Sequence, residues 1–261
     1  MWIRVVRRSI CRSLFAGVNA VHWICLVPEL FLFGVLCSAQ SFTPDQAIDR
    51  YLSRSSDGQP GCSDWVSTVQ IDAALPKLKK QGGMQGLKVV SRTGQTVYRD
   101  LRFTGDSLIK TAVIARFLAN DVKPPVRSPG ADVTRQNYSF VYDRTSEYNG
   151  LTAYVFRLRP IRKRIGLFKG ELWLDATTAD PLRLWGDFVK SPSIFVRNIR
   201  VVQDYQRIGD CSHPLRLLFS VDTRIAGHVE MAVWLHPVDS QSAESAAKCG
   251  AGSLAGGSAA K

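Results

Sequence analysis

Tyr138-Ser-Phe-Val-Tyr142, Thr152-Ala-Tyr-Val-Phe-Arg-Leu158, Phe168-Lys-Gly-Glu-Leu-Trp-Leu174, Pro181-Leu-Arg-Leu-Trp-Gly-Asp-Phe188 and Ile194-Phe-Val-Arg-Asn-Ile-Arg-Val-Val202 follow one another within the stretch Tyr138 to Tyr205. Each run mixes β-branched and aromatic residues with charged ones and is bounded by Gly, Pro, Asn, Asp or Ser. That is the signature of strands joined by turns. Tyr154, Phe156 and Leu158 alternate with Val155, Arg157 and Arg159, so one face packs and the other meets water. The stretch reads as an antiparallel meander.

Working outward, Leu215 to Thr223 and His228 to His236 add a last strand pair joined about Ala226-Gly227. Upstream, Trp65 to Leu75 reads as a strand stopped by Pro76, Lys77 to Gly83 as a basic turn, and Leu87 to Ser91 with Thr96 to Phe103 as a hairpin. Two helices are expected. The first covers Phe42 to Leu52, with Thr43 as N-cap and Pro44 at the first helical position. The second covers Asp106 to Leu118, where Ile109, Ala112, Val113, Arg116 and Phe117 keep helical spacing. The fold class is therefore mainly β (α+β): a curved antiparallel sheet or incomplete barrel of about ten strands, with two helices packed on its concave side.

The first 39 residues carry four arginines before an apolar run, Trp23 to Cys37, that ends in Cys37-Ser-Ala39. This is the layout of a secretory signal with cleavage expected after Ala39. Pro28-Glu29 interrupt the run, whereas a spanning helix needs ~20 continuous apolar residues. An uncleaved N-terminal anchor is the alternative. The expected organisation is a signal peptide over 1–39, one domain over 40–238, and a low-complexity tail over 239–261 that is too poor in apolar residues to fold. Export to an oxidising compartment, the periplasm, would leave Cys62, Cys211 and Cys249 in the mature chain. Three pairings are possible, and Cys62–Cys211 is preferred because Cys249 sits in the tail. No CxxC or Cys/His cluster supports a metal, and no cofactor motif appears.

Catalysis finds little support in the residues. There is no Gly-x-Ser-x-Gly, and His213, His228 and His236 all fall in or near the last two strands. The carboxylates sit mostly at turns and strand edges, and Gly82-Gly83-x-x-Gly86 lacks the helix that would hold phosphate. A non-enzymatic reading follows.

Two features point to binding. Arg162, Lys163, Arg164 and Lys169 crowd one hairpin tip beside Leu167 and Phe168. They read either as a docking loop for anionic lipid headgroups or an acidic partner, or as a solvated tip that blocks edge pairing. Nucleic acid is not expected, because an exported chain rarely meets it and no binding motif appears. Phe103, Phe140, Tyr154, Phe156, Trp173 and Trp185 alternate along neighbouring strands. They read as the lining of an apolar cavity, or as the filling of a closed core, which is the commoner use of such a pattern.

A capped helix, three strands, a helix and a long meander resemble the lipoprotein-localisation carriers (LolA and LolB) and the N-terminal domain of the regulator RseB. The most specific likeness is the hairpin Gly170-Glu-Leu-Trp-Leu-Asp-Ala-Thr-Thr-Ala-Asp-Pro-Leu-Arg183. The resemblance implies an incomplete barrel whose helices form a lid over a cavity that receives acyl chains or lipidated partners. The expected function is thus an exported lipid- or lipoprotein-binding carrier of the envelope. The alternative is a sensing or scaffolding module that binds protein and no lipid.

Overall fold

A computed structural model describes residues 41–56, 65–91, 95–122 and 133–238. The expected signal peptide, Cys62, Cys249 and the tail lie outside the described residues.

The first helix, α1, spans Pro44–Ser56. Thr43 Oγ1 accepts the Gln46 N–H at 3.3 Å, and Gln46 Oε1 accepts the Thr43 N–H at 3.0 Å. This reciprocal box satisfies donors that the first helical turn leaves open. Phe42 N–H then donates to Ala176 O at 2.9 Å, tying the helix entry to the meander.

Ten antiparallel strands form one unclosed, curved sheet. They are β1 Trp65–Leu75, β2 Lys80–Val90, β3 Thr96–Gly105, β4 Tyr138–Tyr148, β5 Leu151–Pro160, β6 Phe168–Asp175, β7 Pro181–Phe188, β8 Val196–Ile208, β9 Cys211–Thr223 and β10 His228–Pro237. Their order is β3-β2-β1-β10-β9-β8-β7-β6-β5-β4. The last strand therefore pairs with the first, through Val69↔Leu235 and Ile71↔Val233, while β3 and β4 remain free edges.

The second helix begins where Asp106 Oδ1 accepts the Leu108 N–H at 2.8 Å. It passes through a π-helical segment, Ile109–Ile114, into α2, Ala115–Val122. It ends beyond the expected Leu118.

Both helices cover the same face of the sheet, because cross-strand partners share a side and successive residues alternate. Ala47 and Ile48 of α1 meet Phe156, Leu158, Leu172, Leu174 and Leu184. Ile109, Ile114 and Leu118 meet Val69, Ile71, Met84, Met231 and Val233. Each fully buried aliphatic side chain contributes roughly 1.5–3 kcal/mol, so these two clusters hold the helices down.

One expected turn is corrected. Gly82-Gly83 lie inside β2, and the chain reverses instead at the 3₁₀ turn Pro76–Leu78, followed by Lys79 at φ 51. The glycines serve close packing. A Cβ on Gly82 would stand 3.0 Å from Ile109 Cγ2, and one on Gly83 would stand 3.1 Å from Ile71 O. Among the described residues no helix is long and apolar enough to cross a membrane.

Candidate functional site

The face opposite the helices carries a cleft of about 880 Å³. Its floor follows the register Val202↔Leu218↔Ala232↔Asp72↔Gly83↔Thr104, one residue from each of β8, β9, β10, β1, β2 and β3. Apart from Asp72 and Thr104, the side chains of this row are small or aliphatic. Ala232 and Gly83 flank Asp72, and the next row places Ala74 between Glu230 and Gln81. Small residues in adjacent central strands are what leave room above the sheet.

Polar groups gather at one rim. Arg200 forks onto Asp187 at 2.8 and 3.0 Å. His228 Nδ1 lies 2.7 Å from Asp222 Oδ1, and its Nε2 lies 3.4 Å from Ser220 Oγ and 3.3 Å from Glu230 Oε1. The Asp222 hydrogen bond raises the imidazole above its ordinary value, and the charges of Asp222 and Glu230 add to that. Ser220, His228 and Asp222 thus fall in the order of a nucleophile, base and orienting acid. Ser220, however, lies on a strand paired on both sides, with Arg200 and with Glu230. Backbone N–H groups there serve the ladder, whereas acyl transfer needs free ones aimed at an oxyanion. Among the described residues no group of three or more His, Cys, Asp or Glu is placed to hold a metal ion.

The six aromatics expected to line a cavity are not brought together. Phe156 is buried under α1, with Phe140 and Tyr154 packed beside it. Trp173 and Trp185 project from the other face, because Val155, not Phe156, is the register partner of Trp173. Their indole N–H groups both donate to Glu171 Oε2, at 3.0 and 3.1 Å. Phe103 stands 40% exposed on the edge strand β3. The cavity reading of this set is therefore corrected: strand parity divides it between two faces.

The basic tip is also rearranged. Arg162, Lys163, Arg164 and Lys169 are exposed. Leu167 and Phe168 are not available as an apolar insert, since they are 1% and 6% exposed within the α1 cluster. Ile161 and Ile165 take the exposed apolar positions at 57% and 54%. Cys211, the one cysteine among the described residues, is disulfide-bonded. His213 stacks on Trp65 with ring centroids 4.9 Å apart, and burial lowers its imidazole.

The cleft itself was not read from the sequence. The available signal was the run of small residues inside strands, Ala73-Ala74, Gly82-Gly83 and Ala232, which a closed two-sided sheet would fill with larger side chains.

No protein-family model and no curated protein matches the chain. Among solved structures it is similar to a domain of Vibrio parahaemolyticus described as outer membrane lipoprotein-sorting, at 14% identity and TM-score 0.41, covering 74% of this chain and 92% of that one. It is similar to a LolA superfamily protein of Nitrosomonas europaea at 15% identity and TM-score 0.32, covering 73% and 93%. It is also similar to MucB, at 11% identity and TM-score 0.27, covering 74% and 92%.

Proposed function

We propose that this is a non-catalytic binding protein of the cell envelope, exported by its N-terminal segment, whose cleft receives the acyl chain of a lipid or lipidated protein. One observation carries the reading: the floor is apolar through Val202, Leu218 and Ala232 before it reaches Asp72, and the neighbouring rim of Arg200, His228 and Glu230 is polar. An amphiphile has that division, and the volume lies within the ~300–1,000 Å³ usual for ligand sites.

Native mass spectrometry of the mature chain, purified from an exporting host without harsh detergent, tests it. A stoichiometric acyl-containing adduct is expected, and it should be lost in Ala232→Trp, which fills the floor. A clean mass that stays unchanged when fatty acids or phospholipids are added in excess overturns the lipid reading and favours a protein-binding scaffold.

The order Ser220–His228–Asp222 raises a second reading, a hydrolase acting on an ester held in the cleft, against which stands the paired backbone around Ser220. Steady turnover of short acyl esters that disappears in Ser220→Ala would replace the first reading with this one.

A further inference from the structure

Strand polarity places four turns at one end of the sheet: residues 76–79, 161–167, 189–195 and 224–227. They are joined sideways. A Cβ on Gly227 would stand 3.0 Å from Lys77 Cδ, so those two turns touch. Arg224 N–H donates to Phe195 O at 2.8 Å, and Val189 N–H donates to Leu167 O at 2.9 Å. Between β2 and β5 the row of turns covers roughly 30 Å of sheet, at about 4.8 Å per strand.

These turns are unusual in what they display. Six large apolar side chains among the described residues are more than half exposed. Ile161 (57%), Ile165 (54%), Ile194 (77%), Phe195 (53%) and Ile225 (71%) stand in these turns, and Val141 (53%) stands on β4. Turn tips ordinarily carry Gly, Asn, Asp and Ser, so isoleucine at three successive tips is not explained by turn geometry.

Charge points the same way. Lys77, Lys79, Arg162, Lys163, Arg164, Lys190 and Arg224 lie in the four turns, which contain no Asp or Glu. Among the described residues none of these cations makes an ion pair, whereas at the opposite end Arg54 and Arg207 both hold Asp180. A protein interface of this breadth would be expected to intersperse acids. A wide row of apolar tips set among unaccompanied cations instead fits the boundary between phosphate headgroups and acyl chains.

We infer that this end of the sheet docks on an anionic bilayer. Ile161, Ile165, Ile194, Phe195 and Ile225 enter the headgroup–acyl boundary, and the surrounding lysines and arginines contact lipid phosphates. The inference does not rest on what the cleft holds, although His228 at the cleft rim directly follows the turn at 224–227.

Vesicle sedimentation of the mature chain tests it, comparing phosphatidylcholine alone with phosphatidylcholine containing about a third phosphatidylglycerol. Binding is expected only to the anionic vesicles and should weaken as salt rises. Phe195→Asp with Ile225→Asp should lower partitioning at least about tenfold, and each cation removed in Arg162→Ser, Lys163→Ser, Arg164→Ser should lower it about fivefold. Val141→Asp, equally exposed but away from these turns, should change nothing. Ile194→Asp, the most exposed site, serves if the double variant fails to fold by circular dichroism. Equal binding to neutral vesicles, no binding to either, or tip variants that bind like the parent overturn the proposal. So does a Val141→Asp loss as large as theirs. An acyl adduct that persists in the tip variants separates this result from the cleft reading.

Discussion

Tyr148, at the end of β4, donates its hydroxyl to Asp204 on β8 across 3.0 Å, although β5, β6 and β7 lie between those strands in the sheet. Asp204 is 4% exposed and also accepts Arg183 Nε at 2.6 Å and Arg216 Nε at 2.8 Å. The Arg183 guanidinium lies 5.0 Å over the Tyr148 ring and that of Arg216 5.1 Å over Trp234. One carboxylate thus organises side chains from five strands on the face that also carries the cleft.

Asp204→Asn should destabilise the fold strongly, because it leaves two arginines beside each other without their counter-charge. Breaking a fully buried pair costs about 3–5 kcal/mol. These guanidiniums still reach water, so a loss of about 2–3 kcal/mol in urea unfolding is expected. Burial alone would raise the Asp204 carboxyl, but hydrogen bonds from Arg183, Arg216 and Tyr148 outweigh it and hold the group below its usual value. A depressed folded value gives stability that is complete above the unfolded carboxylate range, about pH 4, and lost as pH falls through the folded value. The variant should therefore show a shallower fall in stability below pH 4.

Glu171 should be readable by fluorescence. Burial opposes its charge, yet hydrogen bonds from Arg144, Trp185 and Trp173 keep it below the ordinary glutamate value of 4.5. Protonating it changes the partner of both indoles, so tryptophan emission should titrate at a pH below 4.5. Glu171→Gln should abolish that transition. An unchanged titration in the variant would detach the signal from this carboxyl.

Gly170 and Gly186 face each other across β6 and β7. A Cβ on Gly170 would stand 1.8 Å from Trp185 O, and one on Gly186 would stand 2.4 Å from Phe168 Cδ2. Backbone cannot yield there without breaking the ladder. Gly170→Ala should cost at least about 3 kcal/mol, the upper end of overpacking, and should exceed Gly186→Ala, whose nearest obstacle is a ring. Thermal unfolding of the two variants gives the order.

His228 should titrate above its ordinary 6.5, chiefly because Asp222 holds it. A raised folded value means that its stabilisation is present below the unfolded value and is lost as pH rises through the folded one. Imidazole resonances in Asp222→Asn should return toward 6.5. If they do not, the hydrogen bond is not what moves them.

Ladders and helices were legible because their signals are local. Alternation in Tyr154, Phe156 and Leu158 marked β5, and Thr43-Pro44 marked the start of α1. The site was harder to read because it depends on which residues share a face. A single-residue offset between Phe156 and Trp173 sends one ring under α1 and the other to Glu171. Alternation within each strand does not show that offset. Register decides it, and register follows from turn lengths and from bulges such as the shift between Tyr142 and Arg144. The exposed tips were half legible: cations at 162–164 were visible locally, but the turn at 76–79 joins the turns of the meander only through the pairing of β1 with β10.

The free edges β3 and β4 have a mechanical consequence. A closed barrel has its girth fixed by strand number and stagger. This sheet has no such constraint, since the two strands that would close it are not bonded to each other. A change of twist can widen or narrow the space above Ala232 while every ladder bond survives. The width of the cleft is thus not fixed by strand number and stagger, as it would be in a closed barrel.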